Sequence, residues 1–293
     1  MASTPSSPRL RELGTFLRAH RERVAPDDVG LPDTPRRRTP GLRREEVAAL
    51  SGVGVAWYTW LEQGRVETSR QVLDAVSRAL RLDGDQRRHV LTLAGFVPLP
   101  DPAPAPPQTP EPAAPQAPAG LHRMIDAWPE SPALVLDPLL TVTAWNTAYT
   151  SRWPDPGRVP PDDRNLLLLL TGDPAYQLRL PAWESVALDL HRHLRGHADT
   201  VPDDPRVRAL AARLRDTRPD LAHWWACRSV GGFAPREVEV HGHHSGTARY
   251  ELALLDLPGA HSVLVHTPVH TPPVTRKSRG TGSEGCGIRR LDT

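Results

Sequence analysis

Residues 97–119, VPLPDPAPAPPQTPEPAAPQAPA, do not suit a packed core. Each proline removes a backbone donor and fixes φ, so the segment reads as a polyproline-II-like linker. Extended at ~3.1 Å per residue, it spans about 70 Å. It divides the 293-residue chain into an N-terminal unit, residues 1–96, and a second unit, residues 120–268, each long enough to hold a core. Residues 269–293 are rich in Pro, Gly and Arg and read as a disordered basic tail.

The N-terminal unit reads as five short helices. Leu10, Leu13 and Leu17 recur at helical spacing over Arg9–Arg23. A loop with three prolines and Arg36, Arg37 and Arg38 follows. The stretch RREEVAALSGVGVAWYTWLEQGR, residues 43–65, then reads as two helices broken at Gly52, which supplies the positive φ of a tight turn. Val47, Ala48 and Leu50 face inward on the first of these helices, and Val53, Tyr58 and Leu61 on the second. Ser69 is placed to cap a fourth helix with an apolar face of Leu73, Val76 and Leu80. A fifth runs over Asp85–Ala94 and stops at Gly95. Periodicity alone equally fits an αα-hairpin in an ordinary helical domain. The joint placement of Ala48, Gly52, Val53, Tyr58 and Leu61 points instead to a helix-turn-helix that binds double-stranded DNA.

On that reading Gly54, Val55, Ala56, Thr59 and Trp60 face outward, where a recognition helix meets base edges. Thr59 can hydrogen-bond, while Val55, Ala56 and Trp60 suit thymine methyls. Trp60 packing against the preceding helix is the competing placement. Phosphate anchors are expected at Arg43, Arg44 and Arg65, with Arg36 to Arg38 nearby. One small helix-turn-helix reads few base pairs, so a homodimer on half-sites about 34 Å apart is expected.

The second unit orders as strand, strand, several helices, three strands: PALVLD and TVTAWN; helices over Trp183–His193, Pro205–Arg215 and Pro219–Arg228; strands over Arg236–His241, Arg249–Asp256 and Ser262–Thr267. This is an α+β, sensor-like layout with helices on one face of a sheet.

Charge supports the division. Residues 1–96 carry 16 Arg against 12 Asp and Glu, whereas residues 121–270 carry 15 Arg against 18 acidic residues, so positive charge sits with the expected DNA reader and the tail. No apolar run reaches the length of a membrane span, the first residues lack the apolar core of a secretory signal, and Cys227 and Cys286 lie in no metal-type spacing. A cytoplasmic protein with no cofactor and no metal is expected. The enzyme alternative rests on histidines: His241, His243 and His244 in HGHHSG, and His191, His193 and His197. His191 and His193 do not share a helical face, and no nucleophile elbow or phosphate-cradling glycine loop appears. No catalytic residue is expected.

Residues 9–96, through TPGLRREEVAALSGVGVAWYTWLEQGR and QVLDAVSRALRLDGDQRRHVLTLAG, resemble the XRE-type helix-turn-helix of MmyB-like transcription regulators. Residues 121–268 resemble the ligand-binding domain of that family, through PALVLDPLLTVTAWN, DDPRVRALAARLRDTRPDLAHWW and YELALLDLPG. The resemblance implies a PAS-like sensor fold and a fatty-acid-like ligand. Ala56 and Trp60 stand where relatives usually carry an acidic residue and an arginine, so the family's base contacts do not carry over. Within the second unit Trp145, Asn146 and Leu168 are the ligand-contact candidates, among Leu166 to Leu170, Trp153, Trp183, Trp224 and Trp225. Such residues are more often plain core. Asn146 either orients a lipophilic ligand or caps the following helix. A DNA-bound scaffold without ligand remains the alternative.

Overall fold

The computed structural model describes residues 7–32, 41–97, 117–226, 228–242, 246–257 and 261–269. Arg36 to Arg38, the prolines from 98 to 116, the loop histidines His243 and His244, and the chain beyond 269 lie outside the described residues, as does the side chain of Trp225.

In the N-terminal unit, α1 (Pro8–Arg21) starts on a proline that has no amide to leave unpaired. It buries Leu13, Phe16 and Leu17. The next helix, α2 (Arg44–Ser51), stops at Gly52, whose φ of 70° lets the Val53 amide donate back to the Ala48 carbonyl at 3.0 Å. The chain re-enters as α3 (Val55–Glu62), sending Tyr58 and Leu61 inward. Ser69 caps α4 (Arg70–Ala79), accepting from the Val72 amide at 3.4 Å. A reciprocal Asp83–Gln86 capping box starts α5 (Gly84–Leu93). Leu50, expected inside, is 41% exposed. α2 ends one residue later and the chain turns away at Gly52, before any element covers that side.

The helix crossing depends on one small residue. A Cβ on Gly14 of α1 would overlap the Glu62 carbonyl at the end of α3. The same crossing holds a buried charge network. Glu62, 7% exposed, accepts from Arg21 Nε at 2.5 Å and from Arg44 Nε at 2.7 Å, and Arg21 also donates to the Leu42 carbonyl at 2.8 Å.

The second unit opens with α6 (Ala119–Asp126), which starts within the stretch expected to be linker. A hairpin of β1 (Ala133–Leu136) and β2 (Val142–Trp145) follows. Next come α7 (Thr147–Arg152), α8 (Leu166–Gly172), α9 (Pro174–Arg179), α10 (Trp183–Ala198), α11 (Pro205–Thr217) and α12 (Ala222–Ala226). The antiparallel meander β3 (Arg236–His241), β4 (Thr247–Leu257) and β5 (His261–Pro268) completes a sheet of order β2-β1-β5-β4-β3. This is the α+β sensor fold expected.

Two expectations are corrected. Pro219–Arg228 is not one helix: a 3-10 turn over Pro219–Leu221 leads into the five residues of α12, and Arg228 at φ 47° ends the run. Nor do helices cover only one sheet face. Leu134, Leu136 and Leu264 pack with α8 and α10, while Ala133, Val135 and Val263 pack on the opposite side against Ile125 of α6. The unbroken apolar run of β1, ALVL, is what two-sided burial requires.

The two units touch. Arg9 of α1 donates to the Thr200 carbonyl at 3.0 Å, Glu12 pairs with Arg228, Asp85 accepts from the Gly232 amide at 2.8 Å, and Val230 is buried in the N-terminal core.

Gly14→Ala is expected to destabilise the protein by about 2 kcal/mol, because backbone rather than a flexible side chain must give way. Gly54→Ser, at an exposed helix N-cap with nothing within 4 Å of a Cβ, is expected to stay within ~0.5 kcal/mol of the parent. Urea denaturation of the two variants checks both.

Candidate DNA-reading surface and sensor crevice

The outer face of α3 presents an apolar strip. Val55 is 47% and Trp60 48% exposed, and Gly54 and Ala56 are open to solvent. Trp60 therefore does not pack inside against α2. Thr59 is half-buried, and its hydroxyl donates to the Val55 carbonyl at 2.9 Å. With its proton so placed, Thr59 offers a neighbour only oxygen lone pairs.

The three arginines expected as anchors divide. Arg43, at the N-cap of α2, is exposed, with a 3.8 Å surface approach to Glu45. Arg65 is exposed just past α3. Arg44 commits its Nε to buried Glu62, so its first role is structural and only its outer edge reaches solvent. Arg70, exposed at the first position of α4, adds a cation that the residue pattern had not singled out.

In the second unit, Asn146 is 2% exposed, and its amide is fully engaged. Its Oδ1 accepts from the amides of Ala133 and Tyr149 at 3.0 Å each. Its Nδ2 donates to the carbonyls of Ile125, Trp128 and Ser131 at 2.9, 3.1 and 2.9 Å. Of the two readings, the cap is the one the geometry holds: Asn146 starts α7 and ties α6 to β1. Trp145 is half-buried with the Arg164 guanidinium 5.4 Å from its ring centroid, and Leu168 lies in the main core. Trp145 and Asn146 line one open groove of about 420 Å³ beside His122 and Asp126, and Leu168 does not reach it.

A second, narrower crevice opens at Leu167, next in the chain to Leu168. Leu167, Leu214 and Trp224 supply apolar walls, with Thr171, His191 and Arg218 among the polar ones. Its free volume is about 10 Å³, room for roughly one water. Asn165 positions its leucine wall, capping α8 through the amides of Leu167 and Leu168 at 3.1 and 3.3 Å. Arg218 is held by Asp220 at 2.6 Å, by the Thr171 carbonyl at 3.1 Å and over the ring of Trp183 at 5.0 Å. His191 is buried 5.9 Å from the Trp224 ring, and burial, then the positive charge of Arg195, pushes its pKa down to about 3. A wider, shallower groove of about 570 Å³ runs between the end of α7 and the start of β4, past Arg152, Arg249 and Tyr250.

Among the described residues no group of histidines, cysteines and carboxylates is placed to hold a metal, and no helix is long and apolar enough to cross a membrane.

A glycine-turned helix pair with an exposed second helix, followed by an α+β domain, is the layout of a DNA-binding regulator with a sensor domain. Residues 12–90 match a model described as a helix-turn-helix domain. Residues 117–279, more than half of the chain, match the MmyB-like transcription regulator ligand binding domain. The chain belongs to the MmyB-like transcription regulators. None of the curated proteins matches it.

The sensor interior makes acid stability testable. His266 sits among Tyr149, Trp153 and Tyr250, and its Nδ1 lies 3.0 Å from the Pro132 carbonyl. Burial pushes its pKa from 6.5 down to about 4, against the opposing pull of that hydrogen bond. The unfolded chain therefore binds the extra proton first. Stability is lost as pH falls from 6.5 towards 4, by ~3 kcal/mol at most from this group. Melting curves between pH 7 and 4 are expected to fall less steeply for His266→Gln than for the parent.

Proposed function

We propose that this regulator binds its operator as a homodimer through the outer face of α3, and that its second domain takes a lipophilic, fatty-acid-like small molecule. The observation that carries the DNA reading is the exposure of Val55 and Trp60 on a helix held against α1 and α2 by a buried ion network. Apolar side chains left in water on so well-anchored a helix are suited to thymine methyls. Gly54 and Ala56 let the duplex approach closely. Thr59, able only to accept, suits the amino group of adenine or cytosine. Arg43, Arg65 and the outer edge of Arg44 supply phosphate contacts, which position the helix without reading sequence. Much of the remaining specificity falls to DNA shape.

For the ligand, the leucine and tryptophan walls beside Arg218 suit an acyl chain with a carboxylate head. The crevice as it stands admits no such chain, so binding requires α11 and α12 to part from α8 and α10.

Selection of duplexes from a random library by the full-length protein, followed by anisotropy titration, tests the DNA reading. Trp60→Ala is expected to weaken the selected site about tenfold while leaving random DNA nearly unchanged. Arg65→Ala is expected to weaken both and to lower the salt slope by about one. Equal losses on selected and random DNA for Trp60→Ala would remove α3 as the reader, and one chain per selected duplex by light scattering would remove the dimer. Native mass spectrometry with added palmitate tests the ligand. Unaltered mass and unaltered DNA affinity favour the ligand-independent scaffold.

A further inference from the structure

His191, Arg195 and Asp199 recur every fourth residue, so they form one line along α10 and its C-terminal cap. The first lines the sensor crevice. The second donates Nε to Asp199 Oδ1 at 2.7 Å, with both side chains buried. The third turns its other oxygen, Oδ2, to His89 Nε2 of α5 at 3.3 Å. Burial alone would raise the pKa of Asp199. The contact with His89 and the charge of Arg195 outweigh that and hold it below the ordinary carboxylate range, so it stays charged. The His89 ring lies 5.0 Å from Phe16 of α1. One residue past Asp199, the Thr200 carbonyl accepts from Arg9 of the same helix. And α1 is the helix whose Gly14 and Arg21 are clasped to Glu62 at the end of α3.

The crevice's other wall leads to the same place. Trp224 of α12 is followed by the strap 228–232, where Arg228 pairs with Glu12, Val230 enters the N-terminal core and the Gly232 amide donates to Asp85.

We propose that α10 transmits the state of the crevice to the recognition helix, through the line His191–Arg195–Asp199 and its contact with His89. The proposal rests on the reading of the crevice as the ligand seat. From His191 to Asp199 the helix rises about 12 Å, so a shift at the crevice end is carried along it as a rigid rod. Asp199 cannot part from Arg195 without its buried carboxylate losing that cation, so the shift is not absorbed on the way. At the far end, Asp199 Oδ2 and His89 Nε2 are close but out of line for a hydrogen bond, and neither atom has another partner among the described residues. That contact is the one in the line that tightens or loosens with small movement. Its effect on α1 is passed to α3 by a crossing that has no slack.

The test is a double-mutant cycle on the full-length protein, without ligand, read by amide hydrogen exchange. His191→Leu perturbs the crevice end and Asp199→Asn, close in shape, disconnects the line. His89→Gln disconnects it from the other side and serves if Asp199→Asn melts below the assay temperature. His191→Leu is expected to change exchange in α1 and α3 at least fivefold in the parent, and less than twofold in either disconnected background. Equal changes in parent and disconnected backgrounds, or no change in α1 and α3 in the parent, would overturn the proposal. A parallel palmitate titration separates the two readings. Coupling without palmitate binding retires the fatty-acid ligand and keeps the line, whereas palmitate binding without coupling retires the line.

Discussion

Everything the reader can do depends on Glu62. A carboxylate buried at the end of a recognition helix costs several kcal/mol unless it is fully paired. Here Arg21 from α1 donates to Oε1 and, more weakly, to Oε2, while Arg44 from α2 donates to Oε2. The carboxylate is thus a three-helix bolt: remove either arginine and the buried Glu62 is left with a single cation. Gly14 allows the backbones to close to the distance at which Arg21 can reach. The steric and the electrostatic requirement select the same crossing, and α3 has one orientation as a result. This explains why Arg44, which its position in the sequence marks as a phosphate anchor, serves the fold first.

The sensor domain has a corresponding tie in Asn146. Its five backbone partners come from the end of α6, the loop after it, β1 and the first turn of α7. A single amide thereby joins the helix on one sheet face to the helix beginning the other layer. With α6 fixed there, β1 is buried on both faces, and the remaining helices gather on the side where the crevice forms.

What the sequence made legible follows from the range of the interactions involved. The N-terminal helices are written in local terms: capping at Ser69 and Asp83, a glycine at 52 and apolar residues at 3.6-residue spacing. The strands of the second domain likewise show, β3 in alternation and β1 as a short unbroken apolar run, and the hairpins between strands in Pro and Gly. The outward set on α3 is legible for the same reason, since a helix with its inner face known has its outer face determined. Leu50 was misplaced because periodicity does not say where a neighbouring helix stops. The helix α6 is short and follows the proline-rich stretch, with only Leu121, Met124 and Ile125 to mark its inner side. The run Leu166–Leu170 has no periodicity to read. The cap that Asn146 makes on α7 is local and legible, but its ties to α6 and β1, the pairing of Glu62 with Arg21 and the contact of Asp199 with His89 are set by partners distant in the sequence, and no local pattern carries that information.

The same division bears on how the protein discriminates. On the proposed reading α3 lacks much of the polar vocabulary of a recognition helix: Ala56 and Trp60 cannot donate or accept a bidentate pair with a base, and Thr59 has already placed its proton. Readout by methyl contact and groove shape is less forgiving of orientation than a pair of hydrogen bonds at the end of a long flexible side chain, because it depends on the whole helix lying at the right depth and angle. A rigidly bolted α3 is therefore the counterpart of an apolar α3. It also makes the reader sensitive to small displacements of α1, against which the second domain places Arg228 and the Thr200 carbonyl. Apolar specificity and interdomain control, as proposed, thus draw on one mechanical property, the stiffness of the α1–α3 crossing.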